Sequence, residues 1–435
     1  MLAGANEVIA CWILLGSFLV LLLIRVPISF TLAISSLATI LYLRLPFQVV
    51  AQKMSDGMDT FALMAIPFFV LAGEIMARGG MARKLVDFAR LLVGWLPGGL
   101  AVVNVLSSMF FGGISGSSVA DTSAIGSILI PAMQERGYHR DYATNLTITA
   151  STQGIIIPPS HNAIIYSLVA GGSASIAQLF VAGIIPGIMV GLSLMAVALV
   201  IAVRRGYPRE PVKSWREAGK ITWEALLALG SPVIIVGGVV FGWFTATESS
   251  AIAVLWALLV TFIFYREISF RRYYRIALDS MRVIAMVLFL IASASAFGYL
   301  LAYLQIPARI TRALLGITSN KYLLLLIINL ILLGLGMIMD MAPLIIITTP
   351  ILLPVVRSVG VDPVHFGIIM LLNLGIGLCT PPVGSTLFVG CAISGAKIEE
   401  LVRGIFPFYL AMVVVLLFVT YLPILSMGLV RILLP

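Results

Sequence analysis

The ten residues STQGIIIPPS, Ser151 to Ser160, and their echo GIGLCTPP, Gly375 to Pro382, decide how this chain folds. Each lies inside a long apolar run and puts two adjacent prolines where a membrane-spanning helix would otherwise continue. Proline has no amide hydrogen, so Pro158 and Pro159 free carbonyls about one turn upstream, near Gly154 and Ile155. Lipid cannot satisfy such groups, which must face protein, water or a ligand. Oxygen atoms freed at membrane depth suit a hard cation such as Na⁺. A proline kink alone would account for one such break; two related copies point to a ligand site.

The breaks belong to two related halves. Asp121, Pro131, Pro158-Pro159 and Pro186 (in Gly183-Ile-Ile-Pro186) recur as Asp340, Pro350, Pro381-Pro382 and Pro407 (in Gly404-Ile-Phe-Pro407), at offsets of 219 to 223 residues. Around the breaks, 61% of the 435 residues are apolar and 10% charged, against roughly 45–50% and 25% in a soluble domain. Mean hydropathy is +1.12. So little polar surface excludes a soluble enzyme, a disordered regulator or a nucleic-acid binder, and predicts an all-α polytopic protein embedded in a lipid bilayer. Cys11, Cys379 and Cys391 lack disulfide or zinc spacing, and His139, His161 and His365 are scattered. The run 8–24 lacks a basic leader and reads as a retained first helix.

Apolar length predicts spans near 8–24, 27–43, 61–77, 142–171, 178–203, 224–243, 248–265, 283–303, 362–394 and 404–430. Two further apolar stretches, 99–133 and 322–356, are interrupted by small or polar residues and read as hairpins. The basic segments Arg204–Lys220, which includes Lys213, and Arg266–Arg282 belong in the cytoplasm by the positive-inside rule. Propagating that choice places 20 of the 27 basic residues inside and both termini outside. The net charge of +9 is then a record of topology. Phe61–Ala77 runs inward and Val283–Tyr303 outward, so the halves are inverted repeats, the pointer to a secondary transporter with a midplane site. The divisions are 1–60, N-terminal helices; 61–203, first repeat (hairpin 99–133, broken helix 142–171); 204–282, basic connectors and a helix pair; and 283–435, second repeat (hairpin 322–356, broken helix 362–394). The aromatic-basic mixture of 266–282 predicts an amphipathic helix along the membrane surface, against the simpler reading of a solvated loop.

The first hairpin tip is FGGISGSSVAD, 111–121, and the second GMIMDMAP, 336–343. Ser118 and Asp121 fit a capping box, and capping is compatible with ion binding because dipoles converge at helix ends. Asp121 and Asp340, placed as equivalents, read as helix caps that also support a cation site, with proton carriers as the alternative. Glu74 reads as an interfacial group that snorkels or pairs with a loop cation, and Glu248 as the partner of Thr245 in a capping box. His161 and Asn162 read equally as contacts to an anionic solute and as a polar pair satisfied within the bundle. Parity leaves open whether the hairpin arms cross or re-enter.

At these residues the chain resembles the large permease subunit of TRAP transporters (tripartite ATP-independent periplasmic transporters). The ordered matches are AIPFFVLAGEIM (65–76), SGSSVAD (115–121), GIIIPPS (154–160), TATES (245–249), GMIMD (336–340), CTPPVGS (379–385) and RGIFPF (403–408). The resemblance implies an inverted-repeat elevator transporter, with two re-entrant hairpins and two Pro-Pro-broken helices, in the bacterial inner membrane with periplasmic termini. It also implies at least two transported Na⁺ ions, a carboxylate substrate, a small four-helix membrane subunit and a periplasmic solute-binding protein. By motif match, Ser115, Ser118, Gly154, Ile157 and Pro159 would hold one Na⁺, and Gly336, Gly377, Thr380 and Val383 another. Ser117, Thr152, Ser160 and Asp340 would meet the solute. His161-Asn162 departs from the Ile-Pro of many relatives. The chain begins with the large subunit's helices, so no fused small subunit is expected. The competing readings are a stand-alone sodium–carboxylate symporter and, more distantly, an intramembrane aspartyl protease using Asp121 and Asp340. Neither a P-loop nor HExxH is present, and the chain reads as a transporter subunit and not an enzyme.

Overall fold

A bilayer offers no water to backbone amides and carbonyls, so a spanning chain of this composition forms helices. The described residues, 2–210 and 214–434 of this computed structural model, form helices and turns with no strand. Lys213 lies outside them. Among the described residues eight helices are long and apolar enough to cross a membrane.

The repeat is more regular than its landmarks suggest. Shifting Ser118–Glu135 by 223 residues gives Met341–Ser358, end for end. The same shift carries Arg140, which opens the first broken helix, onto Pro363, which opens the second. Hairpin arms Gly99–Ser115 and Lys321–Gly336 correspond, as do the short amphipathic helices Met81–Val93 and Ile306–Ile317. On this register Pro131 matches Pro354 and not Pro350, and the counterpart of Asp340 is Ser117 and not Asp121. Pairing by residue type misaligned the second arms because it took the rare aspartates as equivalent. The register is set instead by which residue caps the helix.

Each hairpin is pinned to the broken helix of its own half by asparagine. Asn104 donates to the Thr147 hydroxyl at 2.7 Å, and Asn373 to the Asn329 side-chain oxygen at 2.9 Å. The second arms then cross over. Ser118–Glu135 packs on Ser385–Ser394, the helix after the second break, while Met341–Ser358 packs on His161–Val169, the helix after the first. The two halves therefore interlock at the breaks.

The helix Phe270–Tyr303 walls one side of this assembly, packing against Ile28–Leu43, Gln48–Met58 and Ala65–Arg78. Its 34 residues make a rod of about 51 Å, well beyond a hydrocarbon core of roughly 30 Å. The basic stretch expected as a separate surface helix is its first turns, because no proline or glycine interrupts 270–297. The stretch 404–430 is not one span: Ile398–Tyr421 ends before Pro423, and Ile424–Leu433 follows as its own helix. Span 224–243 starts earlier, at Trp215, behind a Ser214–Glu217 capping box. The helices Gln48–Met58, Met81–Val93 and Ile306–Ile317 escape a search for apolar spans because only one face of each is apolar.

Ion pairs link segments that the charge sorting places on one side. Arg78 bonds Asp279 at 2.7 Å and Glu74 at 2.9 Å. Lys84 bonds Glu224 at 2.8 Å, Arg136 bonds Glu210 at 3.5 Å and Arg140 bonds Glu400 at 2.7 Å. Arg309 and Glu7, both sorted to the other side, meet at 3.4 Å. Exposed pairs of this kind contribute little stability; their value here is as markers of which loops share a face.

Candidate functional site

The first tip turns at Gly116, whose φ of +62° favours glycine. Ser117 follows as the N-cap of the second arm, its hydroxyl accepting from the Ala120 amide at 3.4 Å. The Ser118–Asp121 capping box expected from sequence does not form, because the helix begins one residue earlier than that box requires. Ser118 is instead a buried first-turn residue whose hydroxyl lies 2.8 Å from that of Ser151. Ser115 bonds weakly back to Ser117 at 3.4 Å.

The tip closes on the first break almost backbone to backbone. A Cβ on Gly112 would stand 2.5 Å from the Gly154 Cα, and one on Gly116 2.9 Å from the Pro159 oxygen. Thus Ser115, Ser118, Gly154 and Pro159 are brought together, with Ile157 as the extended residue that ends the Gln153–Ile156 turn. Among the described residues no protein donor reaches the carbonyls of Ile157 or Pro159. Asp121 lies behind them with no exposure, and neither carboxylate oxygen has a hydrogen-bond partner. The Ser108 hydroxyl faces it without forming a well-aligned bond.

The second half repeats the closure with different capping. Asp340 caps its helix by accepting from the Met341 amide at 2.9 Å. A Cβ on Gly377 would fall 2.6 Å from the Gly336 Cα. The Val383 amide donates to the Met337 carbonyl at 3.1 Å, tying the turn beyond Pro382 to the tip. Thr380 donates its hydroxyl to the Ile376 carbonyl at 2.7 Å, leaving its oxygen lone pairs for another partner. Gly336, Gly377, Thr380 and Val383 are thereby gathered. Tyr409, which sequence reading passed over, donates its hydroxyl to the Cys379 carbonyl and braces this turn from Ile398–Tyr421. Both X-Pro bonds within the pairs, Pro158-Pro159 and Pro381-Pro382, are cis.

Between the tips lies a small cavity of about 70 Å³, bordered by Ser117, His161, Asn162, Asp340 and Met341. The first turns of three helices, beginning at Ser118, His161 and Met341, open on it. Ser117 and Asp340 therefore share one cavity. Thr152 and Ser160 do not border it: the Thr152 hydroxyl bonds the Thr149 carbonyl and faces the Met412 sulfur at 3.6 Å, and Ser160 caps His161–Val169. His161 and Asn162 take their places on the cavity wall. Asp121 does not border it.

Two further cavities lie along the Phe270–Tyr303 wall, one of them at the first tip. One of about 120 Å³ joins Ser115, Ser117 and His161 to Gly73, Glu74 and Val283. The other, of about 300 Å³, lies near Thr60, Ser295, Ile346 and Pro350. Thr245 and Glu248 form the expected capping box, with amide and hydroxyl bonds both at 2.8 Å.

Comparison with known proteins bears on this arrangement. The family model described as the tripartite ATP-independent periplasmic transporter, DctM component, matches residues 15–425. The chain is 45% identical over 418 residues to the uncharacterised protein YgiK of Salmonella typhimurium, covering 95% of this chain and 96% of that one. It is 42% identical over 420 residues to the isethionate TRAP transporter permease protein DctMQ of Oleidesulfovibrio alaskensis, covering 95% of this chain and 65% of that longer protein. Against the 2,3-diketo-L-gulonate TRAP transporter large permease protein YiaN of Escherichia coli it is 37% identical over 415 residues, covering 95% and 97%. The crystal structure of the Alcanivorax borkumensis YdaH transporter has a similar fold, with a TM-score of 0.66 at 13% identity over 95% of this chain and 97% of that one. Together with the ordered motifs and the paired broken helices, these matches show that the chain belongs to the tripartite ATP-independent periplasmic transporters, as a DctM component.

Proposed function

We propose that this chain is the large permease of a sodium-coupled, binding-protein-dependent importer of an organic acid in the bacterial inner membrane. The observation that carries the reading is the cavity between the tips: three helix N-termini face it, and no lysine or arginine borders it. Helix N-termini favour an anion, but a full negative charge beside Asp340 needs positive charge that the protein does not supply there. Cations at the two closures would supply it, which couples solute binding to Na⁺. The relatives named for isethionate and 2,3-diketo-L-gulonate are named for acid anions.

In this reading Ser115, Ser118, Gly154, Ile157 and Pro159 hold one Na⁺, mostly through carbonyls, and Gly336, Gly377, Thr380 and Val383 a second. The solute lies against Ser117, Asp340, His161 and Asn162. The interlocked hairpins and broken helices move as one body past the wall formed by Phe270–Tyr303, and the cavities along that wall are the two ends of that path. A small four-helix membrane subunit and a periplasmic binding protein complete the transporter, with both termini of this chain on the periplasmic side.

Replacing Ser118 or Thr380 with alanine is expected to raise the Na⁺ concentration for half-maximal uptake severalfold, with the folded chain recovered normally. Unchanged sodium dependence would remove those residues from the ligand sets. In proteoliposomes, uptake is expected to require the added binding protein. Full uptake without it would instead identify a stand-alone symporter.

A further inference from the structure

A cavity of about 310 Å³ opens at the loop ends of Ile176–Arg204 and Ile398–Tyr421, far from the hairpin tips. Arg204, Arg205 and Arg403 border it, with Asp141 and the Tyr142 ring. Three arginines and one aspartate thus share its wall. Arg205 is held in place: it bonds the Tyr207 hydroxyl at 3.3 Å and lies over the Tyr142 ring at 5.6 Å. Tyr207 is itself buried in a stack on Tyr138, with ring centroids 4.0 Å apart. Arg204 and Arg403 form no ion pair among the described residues. The neighbouring Arg136 and Arg140, by contrast, are each paired with a glutamate.

Two free guanidinium groups and one braced one make a fork for the oxygens of a phosphate, which arginine binds through several hydrogen bonds at once. What lies beneath the fork indicates where the phosphate comes from. Along Ile398–Tyr421, Arg403 begins a face that continues through Phe406, Leu410 and Val414, which are 67%, 56% and 42% exposed. Val200, one turn below Arg204, is 51% exposed. A helix face carrying arginine at the end and large exposed apolar side chains below it matches a phospholipid, headgroup above and acyl chains along the stripe. The charge sorting puts this end on the cytoplasmic side, where anionic lipid is attracted by juxtamembrane arginine.

We propose that this cavity is a binding site for the phosphate headgroup of an anionic phospholipid. The test uses the full-length chain, delipidated in detergent and titrated with phosphatidylglycerol, phosphatidylethanolamine or inorganic phosphate, with bound lipid counted by native mass spectrometry. One phosphatidylglycerol is expected to bind tightly. Arg204→Gln with Arg403→Gln should weaken it roughly 30-fold, about fivefold for each arginine near the surface. Arg209→Gln, which removes a charge five residues after Arg204 in sequence and outside the cavity lining, should leave binding unchanged. Asp141→Asn should tighten it, an effect opposite in sign to any loss of fold. Lipid-free melting temperature checks that the variants are folded, and the two single arginine variants serve if the double variant is not. Equal binding of phosphatidylethanolamine, or unaltered phosphatidylglycerol binding by the folded arginine variants, overturns the proposal. Occupancy by inorganic phosphate without any preference for the lipid overturns the lipid as its source.

Discussion

Gly377→Ala is expected to lower uptake roughly a hundredfold while the chain still inserts and folds, since forced overpacking costs up to about 3 kcal/mol. The added methyl carbon would sit 2.6 Å from both the Cα and the carbonyl carbon of Gly336, and backbone cannot swing aside as a side chain can. The tip must retreat, which strains the 3.1 Å bond from Val383 to Met337 and separates the carbonyls gathered at the second closure. Gly375→Ala is the control two residues away, where the nearest atom to a new Cβ is 3.7 Å distant, an ordinary contact. Uptake by proteoliposomes of both variants, compared at equal amounts of folded protein, checks the expectation. If the two variants transport alike, the close approach of Gly336 and Gly377 has no functional weight.

Asp121→Asn is expected to move two measurements in opposite directions. The carboxylate is fully buried, and neither oxygen has a hydrogen-bond partner. Such a group destabilises the sodium-free protein, because desolvation of its charge is uncompensated. Its neutral replacement should therefore raise the melting temperature in sodium-free buffer. The same charge would support a cation at Ser118 and Gly154: a Cβ on Gly154 would lie 3.7 Å from the carboxylate oxygen. A unit charge about 5 Å away contributes roughly 3 kcal/mol at an effective dielectric constant of about 20. The Na⁺ concentration for half-maximal uptake should then rise on the order of a hundredfold. Thermal unfolding with and without sodium, together with the sodium dependence of uptake, separates these effects. A variant less stable without sodium and unchanged in its sodium dependence would make Asp121 a purely structural residue.

The breaks and the polar tips were readable because their chemistry is local, whereas the residue sets assigned to them came from the family resemblance. Two adjacent prolines free carbonyls in any helix, and glycine and serine at a turn expose polar groups wherever the turn lies. What local chemistry misassigned was the cap: Ser118 and Asp121 satisfy the spacing of a capping box, but helix onset at Ser118 made Ser117 the cap. His161 and Asn162 remained ambiguous for a related reason. Whether a polar residue beside a break faces solute or bundle depends on the other tip, which arrives from more than 170 residues away in sequence as Asp340. Thr152 and Ser160 illustrate the reverse, since both flank the first break and neither borders the cavity.

By itself the sequence determined that the chain spans a membrane, which loops share a side, where the helices break, and that the halves repeat. Each of these follows from hydropathy, charge or the missing proline amide, properties that a residue carries into any fold. Tertiary structure alone decided the 223-residue register, the exchange of second arms between halves, and the meeting of Ser117, His161, Asn162 and Asp340. These depend on which surfaces pack together. At Gly112 and Gly154, and again at Gly336 and Gly377, that packing brings backbone to within a methyl group's width of backbone. No property of either segment alone encodes that fit.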